Sequence, residues 1–197
     1  MALSFFLQVL NREVQIRRIR KNDCVRIERF TCGSEEQDSF LKEKAISYHA
    51  AGLTTVYLVL LEDEILAYFT ISPFTLNYKK LSDNIRKEIE DGLGTTVDVK
   101  RIPVLLLGQF AVEKKYQNRG VGSEILGKII IPIAIAIAEQ IGGIGLCVHT
   151  TPKLAENFYQ RVHKQLGVGF YEISRKANEN RSELLFFLIE YIRSRIE

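Results

Sequence analysis

One segment, residues 104–138, restricts the fold more than any other part of the chain. It opens with "VLLLGQFAV" (residues 104–112), a nearly continuous apolar run of strand length, which is typical of a strand buried on both faces in the middle of a sheet. The polar loop "EKKYQNRGVG" follows, and a long apolar helical pattern then continues to Glu139 and Gln140. A buried strand followed by a buried helix predicts an α/β domain in which helices cover a large mixed sheet.

Strands and helices are predicted along the rest of the chain as well. "VQIRRIRKND" predicts a first strand, and "CGSEEQDSFLKEKAISYHAAG" predicts a helix that begins with a capping box of Ser34 and Gln37 and stops at Gly52. "TTVYLVLLEDEILAYFTISP" predicts a hairpin closed by Pro73, and a short helix is expected at residues 82–89. "IGLCVHTT" predicts a strand, and "PKLAENFYQRVHKQLG" predicts a helix with Pro152 at its start. "VGFYEIS" and "ELLFFLIEYI" predict closing strands.

The composition fits a single soluble domain over residues 1–197. Hydrophobic residues make up 46% and charged residues 26%, the formal charge is only +3, and no repeat or linker divides the chain. Cys24, Cys32 and Cys147 form no CxxC pair, so we expect reduced, buried thiols in a cytoplasmic protein. The apolar run at residues 129–138 is about half of a membrane span. It predicts a core helix, which Pro132 should kink unless the helix ends there.

The glycines in "YQNRGVGSEIL" (residues 116–126) allow two interpretations. They either let the backbone turn between a strand and a helix, or they let a phosphate group approach the backbone. The dinucleotide pattern GxGxxG fails, because Gly120 and Gly122 lack a third glycine at the required spacing. The Walker pattern is nearly met by Gly122, Gly127 and Lys128, but Ile129 stands where Ser or Thr is needed. Both nucleotide motifs are therefore rejected.

A strand, a basic loop and the start of a helix remain, and this combination can bind an anion. Unpaired N–H groups and the helix dipole favour negative charge there, and glycines let a bulky phosphate come close. Lys114, Lys115, Gln117 and Arg119 add donors and positive charge. A diphosphate would fit this arrangement.

Two motifs resemble those of the GNAT superfamily of N-acetyltransferases. "LLGQFAVEKKYQNRGVGSEIL" resembles motif A, in which Q/R-x-x-G-x-G/A binds the pyrophosphate of acetyl-CoA, and Gln117, Gly120 and Gly122 match it. "AENFYQR" resembles motif B, with Asn157 and Tyr159 at the matching positions. The resemblance implies a GNAT fold with a central, mostly antiparallel sheet of about six to seven strands. It also implies acetyl-CoA as co-substrate and no metal.

The resemblance also assigns the candidate site. In the family the pantetheine arm pairs with the end of the central strand, and the conserved motifs hold the rest of the cofactor. Tyr159 would act as the general acid that returns a proton to the departing thiolate. The cofactor-binding residues would be Phe110, Ala111, Val112, Gln117, Asn118, Arg119, Gly120, Val121, Gly122, Ser123, Asn157 and Tyr159.

Four segments are similar in order to those of GNAT toxins from toxin–antitoxin modules, which acetylate the amino group of aminoacyl-tRNA. The segments are "FTCGSEEQDSFLKEKA", "YFTISPFTL", "IPVLLLGQFAVEKKYQNRGVG" and "VHTTPKLAENFYQR". The chain departs from the toxins at Gln109 and Phe110, where they usually have Arg and Leu, and in the longer segment after Tyr159. Aminoacyl-tRNA and a small DNA-binding antitoxin are therefore the expected partners. The alternatives are an enzyme for small amines, antibiotics or protein N-termini, and a non-catalytic acyl-CoA sensor. A homodimer stays open.

Other residues have weaker functional interpretations. Glu113 could guide a water as a base, but a solvated loop carboxylate is the simpler interpretation. Cys147 and His149 share a strand face, and two ligands do not make a metal site. Basic clusters could face tRNA or simply be solvated. They are Arg17, Arg18, Arg20 and Lys21; Lys79 and Lys80; Lys100 and Arg101; and Arg161 and Lys164.

Overall fold

A computed structural model describes residues 3–161, 170–176 and 181–187. In these residues, eight strands form one mixed sheet. Their order across the sheet is β1-β2-β3-β4-β5-β6-β8-β7, and the pairs β1–β2, β2–β3, β3–β4, β6–β8 and β7–β8 are antiparallel. The strands are β1 (Leu3–Leu7), β2 (Arg12–Arg18), β3 (Thr55–Leu61), β4 (Glu64–Asn77), β5 (Arg101–Val112), β6 (Gly145–Thr150), β7 (Phe170–Lys176) and β8 (Arg181–Phe187).

The sheet confirms the predicted α/β class, but the expected number of six to seven strands is wrong. The missed strand is β1, which lies at the edge of the sheet and pairs only with β2. Apolar residues occupy both of its faces, and Leu3 and Phe6 are 46% and 53% exposed. The period-two alternation that identifies a half-buried strand is therefore missing from this segment.

Within the described ranges, five helices accompany the strands. They are α1 (Cys24–Arg29), α2 (residues 35–50), α3 (Asp83–Leu93), α4 (Val121–Ile141) and α5 (residues 152–161, the rest of the predicted helix lying outside the described residues). Three of them contain a π-helical turn, at Phe40–Lys44 in α2, Leu126–Ile130 in α4 and Ala155–Tyr159 in α5. Such turns are frequent at functional sites, and the third contains both motif B residues.

The predicted capping box at the start of α2 is wrong. Ser34 is the residue before the helix, but its side chain makes no capping hydrogen bond. The carboxylate of Asp38 instead accepts hydrogen bonds from the Cys32 N–H at 2.8 Å and the Thr31 hydroxyl at 2.7 Å. Gln37 does not reach back to the start of the helix, because its side-chain amide donates to a strand further along the chain. The predicted stop at Gly52 is confirmed by its φ of +72°.

Strand β4 corrects the predicted end of the hairpin at Pro73. The strand continues through Pro73 to Asn77, whereas its pairing with β3 ends at Ile71 opposite Thr55. The missing N–H of proline is therefore not required by the β3–β4 ladder. α3 likewise starts as predicted, with Ser82 accepting a hydrogen bond from the Ile85 N–H, but it continues to Leu93.

Helix α4 runs through Pro132 without ending there. The π-helical turn at Leu126–Ile130 lies directly before the proline, so the change in backbone geometry falls where a proline removes a helical hydrogen bond. Within the described residues, α4 is the one helix that is long and apolar enough to cross a membrane. However, 56% of the apolar stretch of this helix is buried inside the protein, as in a core helix.

Residues 1–72 and 107–130 form one compact unit. Its core packs α1 and α2 against β3, β4 and the end of β5, and the ring of Phe30 meets that of Tyr68 edge to face at 5.6 Å. The buried carboxylate of Asp23 is held by the guanidinium of Arg17 at 2.5 and 2.8 Å. Because Arg17 is only 11% exposed and already paired, it is not one of the surface cations that the sequence suggested.

Residues 73–106 and 131–197 form the second compact unit. Its core includes Leu76, Ile89, Ile102, Val104 and Leu185. The phenol of Tyr78 donates to Glu90 Oε1 at 2.9 Å, and the same oxygen accepts from the Val97 N–H at 3.1 Å. These two bonds tie α3 to the loop that leads into β5. The predicted closing strands are found as β7 and β8, and the final residues of the latter prediction lie outside the described residues.

The three cysteines are unpaired, but they are not all buried as predicted. Cys24 is exposed, while burial raises the pKa of Cys32 to about 11 and that of Cys147 to about 12. Only thiolates react readily with maleimides or disulfide reagents. We therefore expect Cys24 to be labelled in the native protein at pH 8, and all 3 cysteines only after unfolding. Peptide mass spectrometry identifies the labelled residue, and rapid native labelling of Cys32 would contradict the prediction.

Candidate active site

The loop between β5 and α4 has the backbone that motif A predicts. Strand β5 ends at Val112, a 3₁₀ turn covers Lys114–Tyr116, and Gly120 then precedes α4 with φ +81° and ψ −5°. Asn118 also has a positive φ of +58°, which Asn tolerates better than most residues. A Cβ atom on Gly120 would lie 3.4 Å from Val9 Cγ1. The position therefore favours glycine by its backbone conformation.

The first turn of α4 presents backbone donors. Val121, Gly122 and Ser123 are its first three residues, and the N–H groups at the start of a helix have no partner within the helix. Gly120 has no side chain that could cap them. The Glu124 N–H is the first to be used, donating to the Gly120 carbonyl at 3.0 Å. The Walker interpretation is excluded structurally, because residues 122–128 lie in the helix.

A carboxylate stands in the same turn, and its charge is compensated locally. Glu124 accepts hydrogen bonds from the Gln8 N–H at 2.7 Å, the Val9 N–H at 3.0 Å and Lys128 Nζ at 2.6 Å. Burial raises the pKa of Glu124, but the bonds from Lys128, Val9 and Gln8 outweigh it and lower the pKa below its usual value. The Glu124 carboxylate therefore anchors the turn between β1 and β2 to α4. Because the three donors compensate its negative charge, it repels an anion at the start of the helix less strongly.

Gln117 has a different role from the one suggested by its polar side chain alone. Its Nε2 donates to the Val112 carbonyl at 2.8 Å and to the Cys32 carbonyl at 2.7 Å. Both N–H groups of the amide are thus used within the protein. Gln117 fixes the loop against the end of β5 and the segment before α2.

Replacing Gln117 with Met tests this interpretation. The side chain keeps its length but loses both donors, which leaves two carbonyl groups without these partners. We expect the free energy of unfolding to fall by about 1–3 kcal/mol. Urea denaturation measures the change, with Met at the exposed Gln140 as the matched control. Equal stabilities of the two variants would show that the two bonds do not hold the loop.

The basic residues around the loop are not equivalent. Lys115 Nζ pairs with Glu64 and lies 5.2 Å from the centre of the Tyr116 ring. The hydrogen bond that Lys115 donates to the Glu64 carboxylate raises the pKa of Lys115. Lys114 and Arg119 are exposed. Arg119 stands between Asn118 and Gly120, directly before the start of α4.

Glu113 has a structural partner. Its Oε2 accepts from the Thr31 N–H at 2.9 Å, and its own N–H donates to the Leu66 carbonyl at 2.9 Å. The Lys114 N–H donates to the Thr31 carbonyl at 2.8 Å. The half-buried carboxylate therefore has a backbone partner on one oxygen, and its use as a water-guiding base stays a prediction. Glu113 joins the end of β5 to the segment that precedes α2.

The motif B residues lie in the second unit, in the π-helical turn of α5. Asn157 is exposed, and Tyr159 is 4% exposed. The Tyr159 ring lies 5.0 Å from that of Phe158 and 5.2 Å from that of Phe170. Burial raises the pKa of Tyr159, so its phenol is protonated at neutral pH, as a proton donor requires. Residues 110–123 belong to the first unit, and Asn157 and Tyr159 belong to the second.

Cys147 and His149 lie in a polar cluster of the second unit and not in a metal-ligand set. His149 Nδ1 lies 2.8 Å from Arg181 Nη2, its Nε2 lies 3.6 Å from Glu183 Oε1, and its ring meets Phe74 at 5.4 Å. Burial and the Arg181 charge lower the pKa of His149, although Glu183 raises it. Because the guanidinium can only donate, Nδ1 accepts, and the imidazole is neutral. Among the described residues, no group of three metal-ligating side chains occurs.

These features, a glycine-based helix start directly after a central strand and a buried tyrosine in the following helix, are those of one family. The sequence profile of the acetyltransferase (GNAT) family matches residues 21–164. The chain belongs to this family. The predicted membership and enzyme class, an N-acetyltransferase, are thereby confirmed.

Similar proteins include several toxins. The tRNA-acetylating toxin of Mycobacterium tuberculosis (strain ATCC 25618 / H37Rv) is 24% identical over 140 residues, which cover 71% of this chain and 78% of the toxin. A tyrosine-to-phenylalanine mutant of KacT is 22% identical with a TM-score of 0.73, covering 91% of this chain and 98% of KacT. AtaT complexed with acetyl-methionyl-tRNAfMet is 22% identical with a TM-score of 0.70, covering 93% and 99%. AtaT is also known bound to acetyl-CoA and the C-terminus of its antitoxin AtaR.

Proposed function

We propose that this GNAT protein uses acetyl-CoA to acetylate the α-amino group of aminoacyl-tRNA, and that it acts as a translation-blocking toxin. The use of acetyl-CoA rests on the start of α4, where Gly120 at φ +81° is followed by N–H groups that have no partner within the helix and favour an anion. The acceptor rests on the similarity to tRNA-acetylating toxins. A toxin of this kind works in the cytoplasm under the control of an antitoxin partner.

The donor site is built from the β5–α4 segment. The backbone N–H groups of Val121, Gly122 and Ser123 bind the pyrophosphate, and Asn118 and Arg119 border it. The backbone of Phe110, Ala111 and Val112 pairs with the pantetheine arm as an added strand would. A strand N–H directed at the thioester carbonyl stabilises the negative charge that develops on its oxygen. By its match to motif B, Asn157 is a further proposed contact of the cofactor.

The acceptor needs little help to become a nucleophile. An α-amino group has a pKa near 8, and an adjacent ester lowers it, so a large fraction is neutral at pH 7. The amine nitrogen forms a bond to the acetyl carbon, the carbon–sulfur bond breaks, and one proton passes from nitrogen to sulfur. Tyr159 donates its phenol proton toward the sulfur and recovers a proton released by the nitrogen. No net proton is taken from the enzyme.

The assay that separates the candidate functions follows thiol release from acetyl-CoA. The acceptors are deacylated tRNA, charged total tRNA and a panel of polyamines, aminoglycosides and peptides. Turnover confined to charged tRNA supports the proposal. Turnover confined to the amines would identify a small-amine or N-terminal acetyltransferase, and acetyl-CoA binding without turnover would identify a sensor.

A basic surface in the second unit provides contacts for the tRNA backbone. The Tyr78 N–H donates to the Lys100 carbonyl at 2.9 Å, which brings the exposed Lys79 and Lys80 beside the exposed Lys100 and Arg101. Two clusters that are separate in sequence thus form one group of cations. Phosphate contacts of this kind supply much of the affinity of nucleic-acid-binding proteins.

Replacing these four cations with Ala is expected to weaken tRNA binding about tenfold or more. Each lost phosphate contact should also reduce the salt dependence of the affinity, by a slope of about 0.7–0.9. Filter binding at several salt concentrations measures both quantities, and acetyl-CoA affinity should not change. Ala at Arg12, Arg29, Lys42 and Lys44, four exposed cations of the first unit, is the matched control. Equal losses in the two variants would indicate a general charge effect and not a binding surface.

A further inference from the structure

Gln37 connects α2 to the strand at which the acyl donor is proposed to bind. Its Nε2 donates to the Phe110 carbonyl at 3.2 Å. Its backbone carbonyl accepts from the Tyr68 hydroxyl at 2.8 Å, so the main chain at this point is anchored independently of the side chain. The contact joins residues that are 73 positions apart in the sequence.

The Phe110 carbonyl faces away from β4. The N–H groups of Gln109 and Glu113 both donate to β4, to Thr70 Oγ1 and to the Leu66 carbonyl respectively, each at 2.9 Å. Successive residues of an extended strand direct their backbone groups to opposite edges. Phe110 therefore directs its backbone groups to the edge opposite β4.

The same edge carries a second glutamine contact. The next carbonyl on this edge, that of Val112, accepts from Gln117 at 2.8 Å. Two successive carbonyls on the edge opposite β4 thus each accept a hydrogen bond from a glutamine amide.

A pantetheine arm that pairs with this edge offers the same chemistry. It contains amide groups, and an added strand places an amide N–H on an outward carbonyl. We propose that the Gln37 carboxamide occupies the place of a pantetheine amide at the Phe110 carbonyl, so that it must turn away when the acyl donor binds. This inference rests on the proposed use of acetyl-CoA.

Gln37 is better suited to such displacement than Gln117. Gln117 is held by two hydrogen bonds of 2.7 and 2.8 Å. The Gln37 side chain is held by one bond of 3.2 Å and by the Cys32 thiol, a weak donor, at 3.6 Å from its Oε1. Its release therefore costs about one ordinary hydrogen bond, while α2 keeps its position through the Tyr68 contact.

Acetyl-CoA binding to Gln37→Met tests the proposal. Methionine keeps the length of the side chain but cannot donate to the Phe110 carbonyl. We expect the affinity for acetyl-CoA to rise about 3- to 10-fold, the effect of one net hydrogen bond, with KM lowered and kcat unchanged. Adenosine 3′,5′-bisphosphate, which lacks the pantetheine arm, should bind both proteins equally. Met at the exposed Gln140 is the control, and Gln37→Asn, whose amide is too short to reach, should behave as Gln37→Met.

The outcomes separate this inference from the proposed function. If the wild-type protein does not bind acetyl-CoA in calorimetry, the proposed donor itself is wrong. If the wild type binds and both Gln37 variants bind no more tightly, the displacement is wrong and the contact is structural. A structural role would lower the melting temperature and weaken the binding of acetyl-CoA and of adenosine 3′,5′-bisphosphate together.

Discussion

Tyr159→Phe is expected to lower kcat by about 100-fold or more while the affinity for acetyl-CoA stays the same. General acid–base groups contribute about 10²–10⁴-fold to a rate, and this variant removes the hydroxyl alone. The ring contacts with Phe158 and Phe170, at 5.0 and 5.2 Å, do not need the hydroxyl, so the core should be retained. Steady-state kinetics with the best acceptor measures kcat, and calorimetry measures donor binding.

The comparison variant is Tyr48→Phe, which removes a hydroxyl from a tyrosine that is 39% exposed in α2. It should leave kcat unchanged. If Tyr159→Phe keeps kcat within about twofold of the wild type while binding acetyl-CoA normally, the acid role is wrong and Tyr159 is a packed core aromatic.

The pH profile gives an independent measure of the same role. Because burial raises the pKa of Tyr159, the protonated phenol persists to higher pH than in a solvated tyrosine. The value of kcat/KM should rise as the acceptor amine loses its proton and should not fall again before about pH 10. A descending limb below that pH would mean that another group supplies the proton.

The backbone of the loop between β5 and α4 was predictable because the sequence pattern that specifies it is local. Gly120 needs a positive φ, and a strand must precede it and a helix must follow, so the motif and its neighbours together specify the backbone. The same holds for the stop at Gly52, whose φ is +72°. Periodicity alone also identified the central strand and the helix after it.

The contacts that organise the loop were not predictable, because they join distant segments. Gln37 matched a local capping pattern, yet its amide donates to Phe110, and Gln117 bonds Cys32 from 85 positions away. A glutamine can satisfy its amide in many ways, and the sequence does not indicate which one the folded chain selects. The exposed Cys24 and the edge strand β1 were missed for a similar reason, since burial depends on the tertiary packing of segments with weak periodicity.

The largest loss of donor affinity is expected from Gly120→Val. Valine at φ +81° is strained, because a branched Cβ clashes with the backbone in this region, and the Cβ would stand 3.4 Å from Val9 Cγ1. A side chain at this position would also remove the bare backbone that lets a phosphate come close. We expect the dissociation constant for acetyl-CoA to rise about 100-fold or more, since a diphosphate would lose its close approach to several backbone donors.

Gly142→Val separates the loss of the anion site from backbone strain. Gly142 has the same φ of +81° and follows the other end of the same helix. A Cβ atom at this position would have no neighbour within 4 Å. Both variants should therefore lose a similar amount of stability, about 1–3 kcal/mol, in urea denaturation. Only Gly120→Val should also lose binding of adenosine 3′,5′-bisphosphate. If the two variants bind it equally well, the start of α4 is not where the phosphates lie, and the donor site must be sought elsewhere on the chain.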